Sequence, residues 1–223
     1  MNDNPNPARP KPVEEPVRAS ADIDFYFDFA SPYGYFMSEK IDALAQSHGC
    51  RVTWRPVILF AVLRALGLPG PLEHPIKRDY MVVDFERSGR FLGITYRMPA
   101  KFPIITPYAA RAFYLLANQT PDAAVPFAHA VLHSYWQDGR DITDLDLVAG
   151  LAGQASDKLG SPAQIGERLR SDEAKALLQD AIASAVERRV FGSPFVIVDG
   201  EPFFGVDRLP QIEARFARDH NVV

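Results

Sequence analysis

Serine followed by proline borders a strand-like run twice in this chain, at Ser31-Pro32 and at Ser193-Pro194. After a strand, serine suits a helix N-cap and proline the first helical position, where its missing N–H is unpaired anyway. The start of such a helix presents unpaired N–H groups and roughly half a positive charge, a setting that favours an anion. By residue type alone, Ser193-Pro194 is a strand that opens with proline, which a strand tolerates at its first residue. Asp207, in Phe204-Gly205-Val206-Asp207, reads as a further N-cap.

Other chemistry-bearing groups are thinner. His129 and His133 stand four apart on a helix and could share a face, as metal ligands do. The glutamate of a His-Glu-x-x-His motif is replaced by Ala130 and no third ligand suggests itself, so no metal site is expected. Asp141, Asp144 and Asp146 read as a cluster that caps and solvates a helix start. Gly67 and Gly70 lie in a proline-rich turn and form no phosphate-binding loop. The one cysteine, Cys50, excludes an intramolecular disulfide and any all-cysteine metal cage.

These residues need a scaffold, and the apolar periodicity outlines one. Ile23, Phe25, Phe27 and Phe29 alternate as in a strand over 23–29. Met37, Ile41, Leu44, Ala45 and His48 recur at helical spacing, with Gly49 as the stop. Val52–Arg55 is a second strand, and a strand–helix–strand opening favours a parallel pair with a right-handed crossover. Helices are expected over 58–66, 75–91, 107–119, 121–137, 141–153, 161–169 and 173–190, several beginning at a proline. Phe195–Val198, the turn Asp199-Gly200 and Pro202–Phe204 read as an antiparallel hairpin. A last helix is expected over 207–218.

The order is therefore βαβ, a helical block of about 120 residues, then ββα. Residues 1–22, with five prolines and no periodic apolar pattern, are expected to be an unstructured tail. Residues 23–57 and 190–223 would form the sheet domain and 58–189 a helical insertion, its last helix free to pack on the sheet. The 223 residues are 47% hydrophobic, an ordinary globular composition. A formal net charge of −4 argues against a nucleic-acid-binding or anionic-membrane surface. No apolar run reaches the roughly 18–20 residues of a membrane span, and the tail matches neither a secretory signal nor a transit peptide. Cytoplasm is the expected location.

The βαβ…ββα frame around a helical insertion resembles the thioredoxin-like fold of bacterial disulfide oxidoreductases. Those proteins carry Cys-x-x-Cys where this chain has Ser31-Pro32-Tyr33-Gly34. Three segments are more similar to kappa-class glutathione transferases and 2-hydroxychromene-2-carboxylate isomerases: Asp24–Tyr33, Val190–Pro194 and Phe204–Leu209. The resemblance covers residues 23–216.

It implies glutathione as cofactor, with Ser31 activating the sulfur. A thiol otherwise ionising near ~8.5 would favour its thiolate at a helix N-terminus. The resemblance further implies a cis Ser193–Pro194 bond, with the Ser193 backbone pairing the cysteinyl unit like an added strand. Phe204, Gly205, Val206 and Asp207 would hold the γ-glutamyl unit, Asp207 accepting its ammonium. Lys77 matches by position a lysine that reaches the cofactor, and Phe102 an aromatic lining the substrate site. Leu68 stands where the family has an asparagine, and Arg64 lies near its substrate-side lysine.

The implied activity is glutathione-dependent isomerisation of a small aromatic-derived substrate in aromatic catabolism, by a homodimer. A kappa-class transferase, and a non-catalytic thioredoxin-fold binding protein in which Ser31 is only a cap, are the alternatives.

Overall fold

The computed structural model describes residues 22–220; the expected tail, but for Asp22, lies outside the described residues. The chain opens with β1 (Asp22–Phe27), α1 (Pro32–Ser47) and β2 (Arg51–Pro56). Seven helices follow: α2 (Leu59–Ala65), α3 (Pro75–Leu92), α4 (Pro107–Gln119), α5 (Pro121–Trp136), α6 (Leu145–Ala155), α7 (Pro162–Arg170) and α8 (Asp172–Glu187). The hairpin β3 (Phe195–Val198) and β4 (Glu201–Phe204) and the helix α9 (Leu209–His220) close the chain.

The strands form one sheet in the order β2-β1-β3-β4. β1 and β2 run parallel, with Phe25 opposite Trp54. β3 runs antiparallel to both β1 and β4. Asp199 and Gly200 turn the hairpin with φ of 47° and 85°, the two positive values a tight two-residue turn demands.

Alternation along β1 sends its aromatic side chains to both faces. Phe25 and Phe27 stack at 5.0 Å and meet Trp54 edge-on, within the large apolar cluster that includes Met37 and Ile41 of α1. Tyr26 faces the other way, with Phe195, Ile197 and Val62 of α2 and Ala185 of α8. Arg188, just past α8, pairs with the largely buried Asp24 of β1 at 2.8 Å. With both faces covered, the sheet is held against the helices as one body, and burying a single large apolar side chain contributes roughly 1.5–3 kcal/mol.

Several boundaries differ from the periodicity, each for a polar reason. β1 ends at Phe27 because the Asp28 N–H donates to Ser193 Oγ at 2.9 Å instead of continuing the ladder. Asp22 joins the strand, its N–H donating to Asp199 Oδ1 at 2.9 Å. α6 begins at Leu145 and not at 141, since Asp141 Oδ1 accepts the Thr143 N–H at 2.9 Å and Asp144 is the cap. Asp207 is not an N-cap. It lies in a 3-10 turn over Val206–Arg208 capped by Gly205, and α9 starts only at Leu209. Among the described residues, no helix is long and apolar enough to cross a membrane.

Candidate active site

Ser31 is the N-cap of α1, in extended backbone, with Pro32 at the first helical position. Its oxygen accepts the Gly34 N–H at 3.0 Å, and its hydroxyl donates to the Ser193 carbonyl at 2.8 Å. The first turn of α1 carries no acidic residue to offset the positive end of the helix.

The loop before β3 comes alongside that helix start. The Ser193–Pro194 peptide is cis, as is Phe102–Pro103. Ser193 is buried, and its hydroxyl oxygen accepts from Asp28, so one residue ties the end of β1 to the start of β3. The packing there leaves no room for a larger residue at position 34. A Cβ on Gly34 would stand 2.8 Å from Ser193 Oγ and 3.2 Å from Ser31 Cβ.

Asp28 lies buried behind this pair. Its Oδ1 accepts from the Ala30 N–H at 2.9 Å and Thr106 Oγ1 at 3.3 Å, and its Oδ2 from the Leu59 N–H at 2.8 Å. Burial pushes its carboxyl above the usual range, against the pull of those three bonds. The anchor of the Ser31 loop is thus a carboxyl biased towards its neutral form.

These groups open onto one cleft of about 470 Å³ with mainly apolar walls. Phe102 and Phe85 meet edge-on at 6.1 Å on one side. On the other, Phe191 and Phe204 meet at 5.0 Å, each about half exposed. The Gly205 N–H donates to the Pro194 carbonyl at 3.1 Å, holding the 3-10 turn beside the cis proline. Gly205 has φ 103°, which any side chain would strain. Asp207, exposed at the rim, pairs with Arg208.

The structure therefore gathers Ser31, Ser193, Phe204, Gly205, Val206, Asp207 and Phe102 around a single cavity. Lys77 is not among its walls; it lies exposed on the first turn of α3. Met81, Asp84, Phe85 and Ser88 of that helix face the cleft instead.

Sequence reasoning passed over Asp28, Asp84, Phe191 and Tyr33. The Tyr33 hydroxyl donates to Asp84 at 2.5 Å. Burial and that bond push the phenol well up, keeping it a donor. Burial also raises Asp84, but hydrogen bonds from Tyr33, Ser88 and Arg87 outweigh it and hold the carboxylate low. The available signal was spacing: Asp84 follows Tyr80 by one helical turn, and Tyr33 adjoins the Ser31 cap.

The chemistry this arrangement can do is to hold an anion at a helix start, against one hydroxyl, in an apolar enclosure. Cys50 takes no part. It lies half-buried beside β2, its Sγ 3.5 Å from the His48 carbonyl, and outside the cleft.

Known proteins resemble this chain over most of its length. A family model described as a DsbA-like thioredoxin domain matches residues 22–217. A 2-hydroxychromene-2-carboxylate isomerase of Pseudomonas putida is 31% identical, over 88% of this chain and 94% of its own. A kappa glutathione S-transferase of Caenorhabditis elegans, kappa 2, is 29% identical over 85% of this chain and 89% of its own. A solved structure of a 2-hydroxychromene-2-carboxylate isomerase superposes with a TM-score of 0.76 at 28% identity, covering 88% of this chain and 94% of that one. The chain belongs to the DsbA-like thioredoxin family and, within it, to the 2-hydroxychromene-2-carboxylate isomerases, and it is similar to the kappa glutathione transferases.

Proposed function

We propose that this member of the DsbA-like thioredoxin family isomerises 2-hydroxychromene-2-carboxylate with glutathione as its thiol. The observation that carries the reading is the Ser31 hydroxyl, set at the α1 N-terminus beside Ser193 in an apolar cleft of a chain with no cysteine there.

The residues present fit such a thiol. The Ser31 hydroxyl and the start of α1 open onto the apolar cleft beside the cis-proline loop, with no acidic residue in the first turn of the helix to oppose an anion. When bound, glutathione supplies a thiolate that adds to an unsaturated carbon, frees the bond for rotation and leaves unchanged.

Ser31 has one hydroxyl proton. To stabilise a thiolate, the hydroxyl turns from the Ser193 carbonyl towards the sulfur, while its lone pair keeps the Gly34 N–H. The start of α1 adds its dipole to the same negative charge. The Ser193 backbone orients the cysteinyl unit, and the Phe204–Asp207 turn holds the γ-glutamyl end, with Asp207 opposite its ammonium. Phe102 and Phe85 shape an apolar wall for the aromatic ring and exclude water from it. Lys77, exposed on the first turn of α3 and absent from the cleft walls, is given no contact with the cofactor in this reading.

We read the enzyme further as a cytoplasmic homodimer of aromatic catabolism. A reducing compartment keeps glutathione as the free thiol. The apolar stripe of Ile76, Tyr80 and Val83, exposed along α3, supports pairing with a second copy.

Turnover of 2-hydroxychromene-2-carboxylate with and without glutathione tests the function. Conversion only in its presence, with the thiol recovered in full, is the expected result; calorimetry showing no glutathione binding overturns it. The likeness to kappa-class transferases favours a second reading, conjugation of the thiol to product, which the same assay reveals as net thiol loss.

A further inference from the structure

A second polar cluster lies on α1, away from the cleft. Glu39 projects from this helix between His129 and His133 of α5, all three half-buried. Its Oε1 lies 3.3 Å from His129 Nδ1 and 2.8 Å from His133 Nε2. One donor atom from each residue falls within 4.8 Å of the other two. We propose that Glu39, His129 and His133 form a binding site for a divalent transition-metal ion of the Zn²⁺ type.

The donor set is two imidazole nitrogens and one carboxylate oxygen, a combination that leaves a fourth position for water. Zn²⁺ holds such ligands at about 2.0–2.2 Å, which places tetrahedral donors about 3.3 Å apart. The Glu39–His129 separation matches that figure, the Glu39–His133 separation is about 0.5 Å shorter, and all three donor atoms already lie within 4.8 Å of one another, so the cluster closes on an ion by side-chain rotation.

The rings are already oriented. His129 meets the Trp54 indole edge-on at 4.9 Å, and His133 meets the Tyr35 phenol edge-on at 6.1 Å. Trp54 is fixed in turn by donating to Asp42 at 3.1 Å, one turn along α1 from Glu39. Support of this kind around the ligands is what holds a metal site in register.

The charges also suit a cation. The Asp42 carboxylate that holds Trp54 lies on the same helix as Glu39, adding a further negative group on that side. None of the three ligands lines the Ser31 cleft.

The test is calorimetric titration of the tag-free, chelator-stripped full chain with ZnCl₂, beside the variants Glu39→Gln and His133→Ala and the control Ser31→Ala. One equivalent of Zn²⁺ bound with micromolar affinity is expected in the wild type and in Ser31→Ala. Each cluster variant should lose about tenfold or more while keeping the wild-type circular dichroism. Co²⁺ added to the wild type should give tetrahedral absorption bands that His133→Ala lacks. Absence of saturable binding by the folded wild type overturns the proposal, and so does undiminished one-equivalent binding by both variants. The Ser31→Ala control keeps this outcome independent of the reading of the cleft.

Discussion

At its N-terminus, helix α1 presents a hydroxyl held by main-chain groups, the Gly34 N–H and the Ser193 carbonyl. Two turns further on, the same helix presents Glu39, held among the described residues by two side chains from α5. The first arrangement is built by the sheet: the end of β1, the start of β3 and the cap of α1 meet because strands are paired in fixed register. The second depends on how two helices happen to be rotated against each other. Polar groups placed by backbone tolerate little change, whereas groups placed by side chains can rearrange at small cost.

Substitutions should expose that contrast. Ser31→Ala removes the hydroxyl proposed to turn towards the glutathione sulfur, and should lower turnover on 2-hydroxychromene-2-carboxylate about 10²-fold or more, the range for one preorganised donor. Its thermal melt should fall by no more than the ~1 kcal/mol of a lost cap. Equal losses in rate and stability would reduce Ser31 to a cap.

Asp28→Ala strips the partner from two backbone N–H groups and from Thr106. It should cost about 2–3 kcal/mol in urea denaturation. Because burial raises the Asp28 carboxyl in the folded state, wild-type stability from this group increases as pH falls through that raised value towards the unfolded ~3.9. The gap to Asp28→Ala should therefore widen as pH falls from neutral towards the unfolded value. A gap that narrows in acid would mean the carboxyl is not biased to its neutral form.

Gly34→Ala crowds Ser193 Oγ and should weaken glutathione binding about tenfold, ~1.4 kcal/mol by calorimetry. Unchanged affinity would place the tripeptide elsewhere. Glu39→Gln breaks only partly solvated side-chain contacts and should cost under about 1 kcal/mol of stability, with turnover unaltered. A larger loss would show that the helix pair depends on this cluster as the cleft depends on Asp28.

What could be read from the sequence follows the same division. The Ser31 cap, the Asp199-Gly200 turn and the alternation of Ile23, Phe25 and Phe27 are local signals, and the structure matches them. Motif resemblance added Ser193 and the Phe204–Asp207 turn. Asp28 was not legible, because its role depends on Leu59 and Thr106, brought to it by folding. Asp207 misled for a related reason: the positive φ of Gly205 and its bond to Pro194 tighten the chain into a 3-10 turn, which residue type does not reveal. His129 and His133 were visible at helical spacing, but Glu39 lies 90 residues before His129 and nothing local connects them.

Cys50, half-buried beside β2, is the only sulfhydryl in the chain and lies outside the cleft. Replacing it with serine would leave a protein that contributes no thiol signal of its own. In a mixture of that variant with glutathione, thiolate absorbance and the rate of reaction with an alkylating reagent would come from the tripeptide alone. A spectroscopic pH titration could then read the ionisation of the bound sulfur at equilibrium, with no substrate present, and repeating it on Ser31→Ala would isolate the hydroxyl's share.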